Sequence, residues 1–304
     1  MKPMSSKALN PSRVTRDSKK GIRIMDLVAD QLHNANLDED QAQRVIENPE
    51  FPVDVLALMR RFATPVEYAD KEVASDYAYP DDFAVLPIGT QVDRLAAIYG
   101  LSLGYTIEFI EKVLPGLELP EGTDWFAIPS IDAVAARFFP TVKDPVERNS
   151  RAVQLMLEKL GRSRKLYNYR EGQLGPNRLR PHPRTVEMLR TLQEQQPGDI
   201  LIVAGQLGLR HRGRSVRRAR AIFTANEFGA GAFAGGSILL THPKRLGTGN
   251  ELFMDLPGDE YADDDGRCGE APCLDHGGGE VRFDAYWVEG YGRDYGSVSF
   301  FLPQ

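Results

Sequence analysis

The sequence predicts an α+β protein, in which a helical N-terminal part precedes segments that contain both helices and strands. Residues 26–63 place apolar side chains at the three- and four-residue steps of helices. Residues 83–129 give the order strand, helix, helix, strand. Residues 280–288 alternate in the two-residue period of strands. Together these segments predict a helical N-terminal region, a small βααβ module and a C-terminal α+β domain with an antiparallel β-hairpin.

The composition is typical of a soluble globular protein. The chain has 304 residues, of which 42% are hydrophobic and 26% are charged, and its net charge is -6. No run approaches the ~20 apolar residues that cross a bilayer, so no membrane partner is predicted. Two cysteines form no disulfide framework and favour a reducing, cytoplasmic location. Residues 1–25 are predicted to be a disordered basic tail, because they are rich in Lys and Arg and lack the apolar core of a secretory signal.

The helical region is predicted to extend over residues 26–82, with a linker at its end. MDLVADQLHNA predicts one helix, and Asp38 can cap a second helix that runs to Ile46. Pro52 opens VDVLALMRRFA, whose apolar residues recur at three-residue steps. The polar stretch 64–82 ends in a turn signal, and we therefore expect it to be a linker.

Residues 83–130 are predicted to form a compact module. Residues 83–87 predict a short strand, and Thr90 can cap a helix that Gly100 closes. A second helix stops at Pro115, and TDWFAIP predicts a second strand. The module is thus βααβ in order.

This order, with GT after the first strand, LAAIYGLS between the helices and LPEGTDWFAIP at the end, resembles a LysM domain. The resemblance implies a βααβ fold that binds N-acetylglucosamine polymers such as peptidoglycan or chitin. Where that family has Gly-Asp-Thr and an Asn before the second-helix proline, this chain has Ile88, Gly89 and Thr90, and Leu114. Two alternatives stay open for the module: a small stable fold without a ligand, and a helix-turn-helix that reads DNA.

The C-terminal domain, residues 131–304, is predicted to combine helices with strands. Asp144 and Pro145 open one helix in the order cap, then proline, and Pro183 opens another. DILIVAG is a short apolar run bounded by turn residues, as in a buried strand, and SILLTHP is a second candidate strand. EVRFDAYWV alternates as a half-buried strand does, and SVSFFLP is predicted to return beside it after the turn EGYGRDYG.

Nearly half of the chain, from about residue 166 to its end, carries a second resemblance. The blocks YNYREGQLGPNRL, GLRHRGRSVRRARAIFTANEFG, LLTHPKRL and YGSVSFFLPQ resemble those of an uncharacterised bacterial protein family. That family has no assigned activity. The resemblance therefore implies a bacterial cytoplasmic protein and transfers no functional residues.

The most basic segment is GLRHRGRSVRRARA, residues 208–221, with six arginines among fourteen residues. It follows the predicted strand DILIVAG, and a helix is expected to begin within it. Glycines let a backbone approach an anion closely, and a helix N-terminus presents N–H groups and the positive end of a dipole. The segment therefore predicts an anion-binding site, with a serine that caps the helix. Its residues are Gly208, Arg210, His211, Arg212, Gly213, Arg214 and Ser215.

The charge distribution leaves two partners open for these arginines. Residues 161–220 hold fourteen Lys or Arg against four Asp or Glu, and residues 251–284 hold two Arg against eleven Asp or Glu. An external polyanion, nucleic acid above all, suits a basic surface with tyrosines that can stack on bases. Pairing with the chain's own acidic segment is the alternative, and it suits the helical arginines Arg217, Arg218 and Arg220 better.

Metal and catalytic signals are weaker. Zinc prefers cysteine and histidine ligands. The candidates here are Cys268, Cys273 and His276, with His242 upstream. Their spacing is unusual for a zinc site, so no metal or cofactor is predicted. The sequence has no Walker loop, dinucleotide fingerprint, GxSxG elbow or HExxH. The arginines around His211 are expected to lower its pKa, but no nucleophile is near it in sequence.

These observations favour a non-enzymatic binding or scaffold protein that engages an anionic partner through the glycine and arginine loop. Two alternatives stay open. One is glycan binding through the LysM-like module. The other is an enzyme whose site is assembled from residues far apart in sequence.

Overall fold

The described chain combines helices with two largely antiparallel sheets, so the predicted α+β class is confirmed. The computed structural model describes residues 14–303. The chain divides into two compact units, one ending at Val66 and the other beginning at Glu67.

The first unit contains three helices, α1 (Lys19–Ala35), α2 (Glu39–Glu47) and α3 (Phe51–Ala63). Ser18 caps α1 by accepting a hydrogen bond from the Gly21 amide at 3.1 Å, so this helix begins inside the predicted basic tail. The rest of that tail, residues 1–13, lies outside the described residues. The predicted cap at Asp38 is confirmed, and Gln41 completes a capping box with it.

The second unit contains the remaining helices and the strands of the described chain. The helices are α4 (Ile88–Tyr99), α5 (Gly104–Lys112), α6 (Ile131–Phe138), α7 (Pro145–Ser163), α8 (Pro183–Gln195), α9 (Val216–Ile222) and α10 (Ala232–Thr241). The strands are β1 (Asp124–Pro129), β2 (Leu166–Asn168), β3 (Leu179–Pro181), β4 (Ile200–Gln206), β5 (Glu227–Gly229), β6 (Phe253–Asp255), β7 (Asp259–Tyr261), β8 (Glu270–Gly277), β9 (Glu280–Trp287), β10 (Tyr295–Ser297) and β11 (Ser299–Phe301).

These strands form two sheets. The first sheet has the order β1-β4-β11-β5, with every pair antiparallel. The second has the order β10-β6-β8-β7-β3, and β9 pairs with both β8 and β2. The strand predicted from DILIVAG is confirmed as β4, whose seven residues are all buried.

Helix α10 lies in the core and replaces a predicted strand. The segment SILLTHP forms the last turns of this helix, of which only Leu240 is less than buried. A methyl group built on Gly236 would lie 2.1 Å from the sulfur of Met156 in α7, so a larger residue would force the Met156 side chain to move. Because α10 is apolar on every side, its sequence lacks the polar face that reveals a surface helix.

The segment of the βααβ prediction has two helices and one strand. Gly100 closes α4 in the left-handed conformation, as predicted, but the predicted cap at Thr90 is wrong, because α4 begins at Ile88 and Thr90 lies inside it. Residues 83–87 form no strand. The Leu86 amide donates to Nε2 of His242 at 3.1 Å, and the Leu86 carbonyl accepts from the side-chain amide of Gln91 at 2.7 Å, so side chains take the bonds that a strand partner would make. Strand β1 pairs instead with β4.

The C-terminal hairpin is present, with a partner other than the predicted one. Strand β9, from EVRFDAYWV, pairs with β8 in a register that runs from Glu270 opposite Trp287 to Gly277 opposite Glu280. SVSFFLP supplies β11, which inserts between β4 and β5 in the other sheet. The hairpin prediction is therefore correct for β9 and wrong for its partner, because the two-residue glycine turn at Gly278 and Gly279 joins β9 to the strand before it, β8.

Candidate anion-binding site

The basic loop, residues 208–215, joins β4 to α9 and approaches two other backbones closely. Gly208 has φ +117°, and a methyl group there would lie 2.9 Å from the Gly296 carbonyl oxygen. Gly213 has φ +73°, and a methyl group there would lie 2.1 Å from the carbonyl oxygen of Val73. Both glycines are therefore required by conformation and by space.

Residues 67–79, which we call the strap, run beside the basic loop. The Val73 amide donates to the Gly213 carbonyl at 2.8 Å, and the Ser215 amide donates to the Lys71 carbonyl at 3.0 Å. The hydroxyl of Ser75 donates to the carbonyl of Arg293. The strap belongs to the polar stretch predicted to be a linker. These bonds hold it against the basic loop and Arg293, within the second unit.

Three arginines of the basic loop line one depression of about 350 Å³. Arg210 and Arg212 are exposed, and Arg214 is half-buried. The strap forms the opposite wall and supplies the one carboxylate of the lining, Glu72. Arg210 also lies 3.4 Å from the buried Glu227 carboxylate, so the three guanidinium groups outnumber the carboxylates around them by one and leave the depression positively charged.

Each arginine is held by interactions that leave it donors to spare. Arg214 donates to Glu72 at 2.9 Å and to the Arg210 carbonyl at 2.8 Å, and Arg212 donates to the Tyr77 carbonyl at 3.0 Å. The Arg210 guanidinium lies 5.4 Å from the centre of the Phe301 ring. Because a guanidinium carries five N–H donors, these interactions orient the arginines without exhausting them.

The start of α9 makes its hydrogen bonds inside the protein. The predicted cap at Ser215 is confirmed, since its hydroxyl accepts from the Arg218 amide at 3.1 Å. The Arg217 amide donates to the Val288 carbonyl at 2.9 Å. Ser215 is fully buried. The arginine side chains of the loop therefore reach the depression, whereas Ser215 and the helix terminus do not.

His211 lies beneath the loop and is buried. Its Nε2 is 2.7 Å from Oε1 of Glu227, which also accepts from the Ser299 hydroxyl at 2.7 Å. Burial lowers the pKa of His211, and Arg214 and Arg210 lower it further. Burial alone would raise the pKa of Glu227, but the donors His211 and Ser299 hold it below its ordinary value. A neutral imidazole thus donates to an ionised carboxylate, and the pair anchors the loop from inside.

The helical arginines face the rest of the chain. Arg217 donates to Glu289 at 2.5 Å, and Arg218, only 5% exposed, donates to Glu72 at 3.2 Å. Arg220 donates to the carbonyls of Pro257 and Asp259 at 3.0 and 2.8 Å. Burial lowers the pKa of Arg220 to about 10.

Other arginines of residues 161–220 pair with the acidic segment, residues 251–284. The distances are 2.7 Å from Arg170 to Asp284, 2.6 Å from Arg178 to Asp264 and 2.8 Å from Arg180 to Glu260. Much of the opposite charge seen in the sequence is therefore matched within the molecule. Arg210, Arg212 and Arg214 of the same stretch line the depression described above.

The candidate metal ligands lie apart. Cys273 and His276 are three residues apart in β8, so their side chains point to opposite faces of the sheet. His242 accepts a bond from the Leu86 amide with one ring nitrogen, and its other ring nitrogen lies 2.8 Å from the Thr241 hydroxyl. Within residues 14–303, no group of three or more His, Cys, Asp or Glu side chains is placed to hold a metal ion.

No family model, curated protein or solved structure matches the chain. None of the helices between residues 14 and 303 combines the length and apolar character needed to cross a membrane. The strap, and Glu72 with it, is the part of the site that the sequence did not reveal. Its hydrogen bonds with the loop join residues about 140 positions apart, as in the pair of Glu72 with Arg214.

Proposed function

We propose that the chain binds an anionic partner at the depression lined by Arg210, Arg212 and Arg214. One observation carries the proposal: three arginines converge on one depression from a loop whose glycines admit no side chain. Planar guanidinium groups bind the oxygens of phosphate and carboxylate in pairs of parallel hydrogen bonds. A loop fixed on both sides holds these groups in place before the anion arrives, which reduces the entropy lost on binding.

Nucleic acid is the partner class to test first. A depression of about 350 Å³ admits a phosphate group and not a duplex, so the protein would touch the nucleic-acid backbone. Arginines that bind phosphates release counterions, and the affinity then falls steeply as salt rises. Such binding is expected to show little sequence preference.

The test is fluorescence anisotropy of labelled single-stranded DNA and RNA at several salt concentrations, with the wild type and Arg212→Gln. We expect Arg212→Gln to weaken binding and to make the salt slope shallower by about one, because the variant neutralises one phosphate fewer. Arg162→Gln is the matched control, since Arg162 is an exposed arginine of α7 away from the depression. Calorimetry with pyrophosphate separates a small-anion site from a nucleic-acid site, and absence of both signals at low salt would refute the proposal.

A second candidate function is glycan binding by the LysM-like segment. A groove of about 230 Å³ runs between α5 and the end of α8, lined in part by Tyr105, Phe109 and Gln195. An exposed aromatic ring beside amide groups suits a sugar, which offers a flat apolar face and hydroxyl edges. Titration with chitin oligosaccharides tests this candidate, and binding that survives Tyr105→Ala would count against it.

A further inference from the structure

The second sheet has one apolar face and one polar face. The apolar face belongs to the main core and carries Met254, Leu274 and Phe283. Residues in register on paired strands share a face, and successive residues along a strand alternate between faces. On the polar face one row therefore crosses β10, β6, β8 and β9. We call this the acidic row; its members are Ser297, Asp255, Cys273 and Asp284.

Two of the three carboxylates on this face have a cationic partner. Asp284 accepts from Nε of Arg170 at 2.7 Å. Asp275, two residues after Cys273 in β8, accepts from Nε of Arg282 at 2.5 Å and from the Tyr295 hydroxyl at 2.9 Å. The carboxyl group of Asp255 receives no hydrogen bond from any residue between 14 and 303, although Asp255 is only 8% exposed.

A second buried group beside Asp255 also lacks a partner. Ser297 is fully buried and stands opposite Asp255 in the parallel pairing of β10 with β6. Within the described residues its hydroxyl oxygen has no hydrogen bond. Buried polar groups are normally hydrogen-bonded, because leaving one unpaired costs about 1–3 kcal/mol. A buried hydroxyl without a partner, beside a carboxyl group that accepts no hydrogen bond from the described residues, indicates a place for a missing ligand.

Aromatic rings cover this place. The Tyr286 and Tyr295 ring centres are 6.2 Å apart, although β8 and β6 separate their strands. Strands lie about 4.8 Å apart, so the two rings must lean across the acidic row to meet. Phe253 packs against Tyr295 with ring centres 5.3 Å apart. Tyr286 is 45% exposed, so this ring of the cover has access to solvent.

We propose that the acidic row binds a small organic cation, the ammonium group of a primary amine, between the Asp255 carboxylate and the Ser297 hydroxyl. The ammonium group donates to both oxygens and supplies the positive charge that Asp255 lacks. Aromatic rings attract cations through their negative faces, and Phe253, Tyr286 and Tyr295 stand on the two rows that flank the acidic row. This site takes the charge opposite to that of the anion proposed for the arginine depression.

Protonation of Asp255 gives the proposal a second readout. Burial and the neighbouring Asp294 raise the pKa of Asp255 to about 7. An ammonium ion binds the ionised carboxylate, so we expect tighter binding at pH 8 than at pH 5.5. By linkage, bound amine lowers the pKa of this carboxyl group.

The experiment uses the full chain with ethylammonium chloride as the probe, and with sodium chloride and magnesium chloride at equal ionic strength. At pH 8 we expect ethylammonium to raise the Tm above its value in sodium chloride, and calorimetry to show binding. Asp255→Asn should weaken that binding at least about tenfold, the loss expected for a buried charge partner. Asp265→Asn, which makes the same charge change at an exposed turn, should bind as the wild type does.

The variant also separates lost binding from lost folding. Because Asp255 is a buried, unpaired acid, Asp255→Asn should itself raise the Tm at pH 8 while it removes the response to ethylammonium. The proposal is overturned by an ethylammonium response equal to that of sodium chloride, by an unchanged response in Asp255→Asn, by a response to magnesium alone, or by equal affinity at pH 5.5 and pH 8.

Discussion

The basic loop and the acidic row place charge in opposite physical settings. The loop exposes Arg210 and Arg212 to water, and its hydrogen bonds to backbone carbonyls leave guanidinium donors in reserve. The acidic row buries Asp255 under tyrosine rings without a donor. An exposed cation keeps its hydration until a partner displaces it, whereas a buried anion loses hydration when the chain folds. The first arrangement costs folding little, and the second lowers stability until a proton or a cation arrives.

Gly213→Ala should disrupt the basic loop, and we expect it to change stability more than any other variant proposed here. The added methyl group would meet the Val73 carbonyl and would also require a positive φ. We expect the free energy of unfolding to fall by about 3–5 kcal/mol, measured by urea denaturation. The strap should separate from the loop, and anion binding should weaken with it.

Gly172→Ala is the matched control for that variant. Gly172 has φ +74°, nearly the φ of Gly213, but a methyl group there meets no atom within 4 Å. Its loss of stability therefore measures the conformational cost alone, about 1 kcal/mol. Equal losses in the two variants would show that the strap contributes nothing to holding the loop.

Asp255→Asn should remove the free-energy cost of holding a charged carboxylate in the acidic row. The pKa of Asp255 is about 7 in the folded chain and 3.8 ordinarily. The proton therefore stabilises the folded state fully below pH 3.8, and this stabilisation is lost as the pH rises through 7. Above pH 7 we expect the variant to be more stable than the wild type by about 1–3 kcal/mol. Urea denaturation at pH 5 and pH 8 measures the difference, which should be smaller at pH 5. A variant less stable than the wild type at pH 8 would contradict this account.

Glu72→Gln should make the depression at the basic loop more positive. Glu72 is the one carboxylate of the depression and competes with an external anion for Arg214. Although partial burial alone would raise its pKa, Arg214 and Arg218 hold it below the ordinary value, so the competing charge is present at neutral pH. We expect the affinity for pyrophosphate or single-stranded DNA to rise roughly two- to five-fold, the size of one partly exposed ion pair. Calorimetry and anisotropy measure it, and a fall in affinity would show that Glu72 positions the arginines.

Arg180→Gln should have the smallest effect. Arg180 pairs with Glu260 at 2.8 Å, but half of its side chain is exposed. Screening by water leaves such a pair with little net energy, so we expect the free energy of unfolding to change by less than about 0.5 kcal/mol. Thermal unfolding at low and high salt checks this. A loss above about 1 kcal/mol would mean that pairing between the basic and acidic segments stabilises the fold.

Local signals predicted local structure well. The caps at Asp38, Asp144 and Ser215 each act on an amide three residues later in the chain, so a short stretch of sequence contains the whole interaction. Strand β4 was predicted for a similar reason, since turn residues bound its apolar run. Helix α10 was not, because a short run that is apolar on all sides suits a buried strand equally well.

The sites required information that is not local. The arginines of the depression could be predicted from composition, but Glu72 is polar in a polar stretch and gives no sign of its partner. The acidic row draws one residue from each of four strands, and its neighbours depend on register across β10, β6, β8 and β9. The short turn fixes the register of β8 with β9, but β10 and β6 pair across a long stretch of chain, and no short segment of sequence reveals that register.

The strap decides where the chain can be shortened. A fragment that begins at Glu67 keeps the amide and carbonyl groups that bond Gly213 and Ser215. A fragment that begins at residue 83, where the predicted linker has ended, loses them together with the Tyr79 hydroxyl that accepts from the Leu207 amide at 2.7 Å. For anyone choosing a boundary for expression, a mostly polar stretch that looks dispensable in the sequence supplies one wall of the site.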